Sequence, residues 1–282
     1  MNLYRHFSAE ELRLNDYIQR DMCKPCTRTS KDDFLQPKAK SDQVSVRLPF
    51  GSRQPGSIWL STPTALPELG SELVFFDVGN APSTRFALHA QPVQEHSEFA
   101  RLALQKEWKE AQERVIPLPD DDPEVFKLYQ QWIYYKRIFS TPSTSPAKAD
   151  SGAYPVLVKA YLLGQKLLDG NFKDAMIDCI VEKLYTSATF DIKLTSLVYD
   201  ATPPKSPLRK LLLDIYVWCG DPTWLDEEQL GEFVNAEFAV ELSKRQMGYM
   251  SGIKPASPAF TGDICAYHEH AGGVCYRQML GG

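Results

Sequence analysis

Cys265, His268, His270 and Cys275 place two thiols and two imidazoles within residues 265–275. Sulfur and imidazole nitrogen are the donors that tetrahedral zinc takes, and four of them meet its coordination number. If the stretch is extended, His268 and His270 share a face, because side chains alternate along a strand. A single residue between two histidines differs from the usual finger spacings, so the alternative is a docked or loose tail without metal. Cys23 and Cys26 have the two-residue gap of a zinc knuckle or a redox pair. They lack a neighbouring second pair and a strand-to-helix junction, and chance spacing is the simpler account.

Other candidates have structural explanations. His89 and His96 are the types that act as general bases, but a base needs a nucleophile in reach and a third group to orient it, and no glycine elbow or paired motif accompanies either. Asp120, Asp121 and Asp122 resemble a metal loop superficially, whereas helix capping and dipole complementarity explain them with fewer assumptions. There is no glycine-rich phosphate loop. The expectation is a protein that is not an enzyme and needs no cofactor, with zinc as the alternative.

The 282 residues carry a net charge of −5, with 43% hydrophobic and 24% charged residues, which is ordinary for one large or two modest globular domains. Lys and Arg are scattered, so no basic field gathers phosphates, and nucleic acid is not an expected partner. No apolar run reaches the roughly 18 residues of a membrane span, and the first six residues lack the apolar core of a secretory signal. The expected setting is intracellular, nuclear or cytoplasmic, away from a membrane. Six cysteines are too few for a disulfide scaffold of this size; Cys179 and Cys219 fall on apolar helix faces as small core residues.

The elements follow from periodicity. Residues 72–79 form a β-rich apolar run that stops at the turn-forming Gly79-Asn80-Ala81-Pro82-Ser83, and Phe86 and Leu88 then lie on one face of a second strand. A helical segment with Phe99, Leu102, Ala103 and Leu104 as its apolar stripe comes next, followed by an edge strand at Arg114-Val115-Ile116-Pro117-Leu118-Pro119. Pro123 biases Asp122 toward the backbone of an N-cap and is itself pre-set for the first helical position. Val125, Phe126, Tyr129, Trp132 and Ile133 then recur at helical spacing, predicting an amphipathic helix over 122–138.

This order of strand, turn, strand, helices, strand and acid-capped helix resembles the BTB/POZ family, in the version common in filamentous fungi. Phe86-Ala87-Leu88-His89 is similar to its Phe-x-Val-His hallmark and Ser97-Glu98-Phe99 to its Ser-Pro-x-Phe, while Pro92-Val93-Gln94 and Glu98 depart from it. The resemblance also takes in Trp108 to Glu113, Asp122 to Tyr134 and the helices out to about Lys244. It implies an α+β BTB/POZ fold, a small sheet plus helical cluster, with an all-helical C-terminal extension. It further implies a protein-protein interaction module, with protein partners drawn from a second copy in a homodimer or from the cullin scaffold of a ubiquitin ligase, for which the chain would be a substrate adaptor. A similar His-containing tail closes many fungal members. The exposed side of the Asp122-started helix, with Gln130 and Tyr134, is the expected partner contact.

The domains are read as an N-terminal extension over 1–70, the BTB/POZ unit over 71–188, a helical extension over 189–250 and a Cys/His tail over 251–282. In the extension over 1–70, Ser8 and Glu11 form a capping box with Phe7 and Leu12 as its staple, and residues 44–48 and 57–60 are extended candidates. Residues 140–153 are polar and proline-bearing and read as a flexible loop inside the domain. Helices follow with apolar faces of Leu157, Ala160, Tyr161, Gly164, Leu167 and Leu168, then of Phe172, Met176, Cys179, Ile180 and Leu184. In the extension Ser206-Pro207 starts a helix with Ser206 as N-cap and Gly220 as its C′ glycine, and Leu208, Leu211, Leu212, Ile215, Tyr216 and Cys219 make its face.

Overall fold

The structure is a computed structural model that describes residues 43–45, 69–105, 109–139, 153–187, 189–225, 235–252, 255–270 and 273–280. The capping box at Ser8, the Cys23/Cys26 pair, the extended candidate at 57–60 and nearly all of the loop at 140–153 lie outside the described residues. The fold is mixed α+β, with a three-stranded sheet among helices. No described helix is long and apolar enough to cross a membrane.

The sheet is built from β2 (Leu73–Val78), β3 (Thr84–His89) and β4 (Val115–Leu118), in the order β3-β2-β4. β2 and β3 form the antiparallel hairpin that the turn residues predict, with Val74 opposite Leu88 and Phe76 opposite Phe86. β4 runs parallel to β2: β3 returns the chain to the start of β2, and α1 (Ala90–His96), α2 (Glu98–Ala103) and α3 (Lys109–Glu113) carry it past β2 to the other edge. One face of the sheet is fully buried through Val74, Phe76, Val78, Leu88, Ile116 and Leu118. The stripe read for the segment after His89 is corrected at Leu102, which is 41% exposed, while Ala100 is fully buried. Ser97 breaks the segment into two helices by capping α2, accepting from Ala100 N at 2.9 Å and donating to Leu167 O at 2.7 Å.

α4 (Pro123–Tyr135) closes the sheet. Asp122 caps it through a side-chain bond from Glu124 N at 2.9 Å, and the five predicted residues, Val125, Phe126, Tyr129, Trp132 and Ile133, are its buried set. Phe126 packs on Phe76 and Phe86 with ring centroids 5.0 and 4.7 Å away. Burying each large apolar side chain is worth about 1.5–3 kcal/mol, so this face dominates the docking of α4. The helix stops at Tyr135, short of the predicted 138, because Lys136 turns left-handed and returns its N–H to Trp132 O.

α5 (Ala153–Leu167) and α6 (Gly170–Ser187) form a hairpin beneath α4. Leu168 does not continue the apolar face: it takes the left-handed turn position, 54% exposed, and Asp169 goes inside instead. Asp169 accepts from Phe172 N at 2.9 Å and from Trp132 Nε1 at 3.1 Å, so one buried carboxylate both starts α6 and fixes the Trp132 ring. Beyond it, the extension expected to be all-helical opens instead with a strand: β5 (Thr189–Asp191) pairs antiparallel with β1 (Gln43–Ser45), so a piece of the N-terminal extension meets the start of the C-terminal one.

α7 (Leu194–Ala201), α8 (Pro207–Cys219) and α9 (Ala236–Met250) follow. The predicted face of α8 is buried throughout. Two details of its ends differ from expectation. Ser206 makes no capping bond, because its hydroxyl lies 3.1 Å from that of Tyr161. Gly220 is extended, with φ −66°, and is required as glycine for space, since a Cβ there would overlap Tyr216 O. Arg209 is buried, donating through Nε and Nη2 to Thr202 Oγ1, Tyr199 O and Thr202 O, while its Nη1 forms an ion pair with Glu237 Oε1 at 2.8 Å without making a hydrogen bond.

Candidate metal centre

The tail begins with two 3₁₀ turns, Ala259–Thr261 and Ile264–Tyr267, and ends in α10 (Tyr276–Leu280). Such short pieces cannot stand alone, because helix nucleation costs more than one turn returns. The tail is docked, held by polar side chains on two helices. Tyr267 is fully buried and donates to Asp214 Oδ2 at 2.7 Å, while Lys210 Nζ donates to Ala266 O at 2.9 Å, both from α8.

The larger anchor is α6. Asp174 and Asp178 stand four residues apart, hence on one face of the helix. Asp174 accepts the backbone N–H of Glu269 at 2.8 Å and of His270 at 3.2 Å. Asp178, 3% exposed, accepts from Arg277 Nε at 2.7 Å, from the Tyr276 hydroxyl and, across 3.0 Å, faces His268 Nε2. Lys173 pairs with Glu269. Tyr276 then lies edge-on to Trp132 with centroids 5.5 Å apart, which joins the tail to the core of α4.

These anchors bring together all four predicted donors. One ligand atom from each of Cys265, His268, His270 and Cys275 lies within 4.8 Å of the others. The two sulfurs are 3.7 Å apart, and Cys275 Sγ is 3.6 Å from His268 Nδ1. His268 therefore points one ring nitrogen at the thiols and the other at Asp178. His270 adopts a left-handed backbone with φ 50°, and its Nε2 is buried without a hydrogen-bond partner.

Electrostatics follow from the same contacts. Burial lowers the proton affinity of His268, but the hydrogen bond and charge of Asp178 outweigh it and hold the imidazole above its ordinary value. Burial, and then Cys275 beside it, push the Cys265 thiol up to about 11. Burial also raises Asp174. A cation among the four donors would reverse the thiol shift, because metal ligation favours the thiolate.

The remaining candidates are placed elsewhere. His89 Nδ1 and its backbone N both lie 3.0 Å from the Tyr134 hydroxyl, so Tyr134, half-buried, is engaged with the end of β3. Gln130 is half-buried, and Tyr135 beside them is 64% exposed. His96 sits edge-on to Trp132, lowered to about 4 by burial and then by Lys136. Asp121 pairs with Lys166 at 2.5 Å and Asp122 caps α4, as the helix-start reading requires. Lys173, Asp174 and Asp178 belong to no motif in the sequence, although charges interleaved with apolar residues on every side of a helix are a signal that something polar packs there.

Compared with protein-family models the chain matches none, and no curated protein matches it.

Proposed function

We propose that the chain is a non-enzymatic protein-recognition module of the BTB/POZ type. The observation that carries the reading is the order of the sheet: a β2–β3 hairpin, a helical crossover, β4 parallel to β2, then at once the Asp122-capped helix packed on the sheet. That is the order of elements on which the family resemblance rests, with strand direction and register attached.

In this reading β3 and β4, as sheet edges, and the outer end of α4 are the surfaces offered to partners. Tyr135 and Phe139 pair edge-on with centroids 5.7 Å apart and are 64% and 48% exposed, an aromatic pair of the kind enriched at interfaces. Gln130 lies five residues before Tyr135 on the same helix. Two partner classes follow, a second copy of the chain and a cullin-type scaffold for which the chain is a substrate adaptor. Light scattering over a range of concentrations, together with affinity purification of the tagged full chain, separates them. A dimer mass supports the first and a co-purified cullin the second; a strict monomer that recovers no protein partner overturns the proposal.

A further inference from the structure

We infer that Cys265, His268, His270 and Cys275 hold one zinc ion, in a closed structural site that staples the tail to α6. Nothing in this depends on which partner the module binds.

Two of the donor distances match those around one ion, and all four donor atoms lie within 4.8 Å of one another. A tetrahedral zinc with its usual bond lengths sets its ligands about 3.8 Å apart for two sulfurs and about 3.5 Å for sulfur and nitrogen. The structure has 3.7 Å between the sulfurs and 3.6 Å from Cys275 Sγ to His268 Nδ1. A disulfide would need the sulfurs at about 2.05 Å.

The surroundings fit as well. A zinc-bound histidine donates its second ring N–H to a carboxylate or carbonyl, which sets its tautomer and strengthens it as a ligand. His268 has that arrangement: Nε2 faces Asp178 at 3.0 Å, leaving Nδ1 toward the thiols. Asp178 is itself fixed by Arg277 and Tyr276. His270 supplies an independent observation. A buried ring nitrogen without a partner costs free energy, and His270 Nε2 is one, at a residue whose backbone Asp174 holds in place. An ion bound through Nε2 gives that nitrogen a partner.

The donor set also selects the ion and the role. Two sulfurs and two imidazoles in a tetrahedron are the ligands of zinc, and four side chains fill its coordination sphere, leaving no position for water or substrate. The site is therefore structural. Binding displaces one proton from each of the Cys265 and Cys275 thiols, so the two thiolates balance the charge of Zn²⁺ and no electron is transferred. Its effect is local order: the pieces on either side of the ion, the turn at Ile264–Tyr267 and the short α10, are held over Asp174, Asp178 and Trp132.

The test is elemental analysis of the full chain, purified without a histidine tag after expression with added zinc, alongside Cys265→Ser, Cys275→Ser and His270→Ala. About one zinc per chain is expected in the parent and less than about one tenth in each variant. Should the variants fold poorly, the parent stripped of metal and loaded with cobalt(II) gives a second reading, thiolate-to-cobalt charge-transfer bands with tetrahedral ligand-field bands. Less than about one tenth of a zinc in the parent, a Cys265–Cys275 disulfide found by mass spectrometry, or full zinc retention in folded variants each overturns the inference.

Discussion

Asp178 Oδ1 lies 3.0 Å from His268 Nε2, joining side chains 90 residues apart in the chain, and the same carboxylate also accepts from Tyr276 and Arg277. It is the point where the tail is tied to the helical hairpin. Asp178→Ala leaves three donors without their acceptor in a buried place, and about 3–5 kcal/mol of stability is expected to go with it. Asp178→Asn keeps one oxygen and should lose less. Urea unfolding measures both, and limited proteolysis should cut Asp178→Ala first within residues 255–280.

Two groups beside Trp132, the half-buried His96 and the buried Asp169, oppose each other in acid. His96 is lowered to about 4, so between its ordinary 6.5 and about 4 the unfolded chain binds more protons, and stability is lost as pH falls through that window. Asp169 is raised to about 6, chiefly by burial, so its contribution is complete below its ordinary value near 4 and is lost as pH rises through 6. A tenfold difference in proton affinity between folded and unfolded chain is worth about 1.4 kcal/mol, which gives a few kcal/mol for either group. Relative to the parent, His96→Leu should therefore gain stability as pH falls from 6.5 to 4. Asp169→Asn should lose it over pH 6 to 4. Denaturation midpoints at pH 7, 5 and 4 check both signs.

The cap at α4 is exposed enough to change without disturbing the core. Asp122→Ala removes the bond from Glu124 N and should cost about 1 kcal/mol, with Asp122→Ser restoring most of it. Thermal unfolding of the three proteins gives the order.

Gly220 offers a sharper backbone test. A Cβ at this position overlaps Tyr216 O within the last turn of α8, so Gly220→Ala requires the turn to open. A loss of about 2 kcal/mol or more is expected, where the ordinary effect of Gly→Ala at an unstrained site is a gain of about 0.4–1 kcal/mol. Calorimetry decides the sign.

What is legible in the sequence follows a physical division. The strands, the Asp122 cap and the five buried residues of α4 can be read because period-two and helical spacing are local signals. The four clustered Cys and His donors can be read by type and spacing within one short stretch. Leu168 misleads because its hydrophobicity runs past the turn that ends α5, and Leu102 because it lies on the exposed side of α2. The pairing of β1 with β5 and the support of the tail by Asp174 and Asp178 are long-range. No local pattern encodes which strand or which carboxylate a distant segment will meet.

That this is a module that works by binding protein is tested most directly by affinity purification of the tagged full chain from its own cells beside Gln130→Arg/Tyr135→Ala, a double variant on α4. The expected result is a protein partner recovered in near-stoichiometric amount with the parent and at least about tenfold less with the variant, at unchanged melting temperature. Equal recovery with both would move the interface off α4. Recovery of no partner by the parent, with a monomer mass in solution at every concentration, would contradict a protein-binding role altogether.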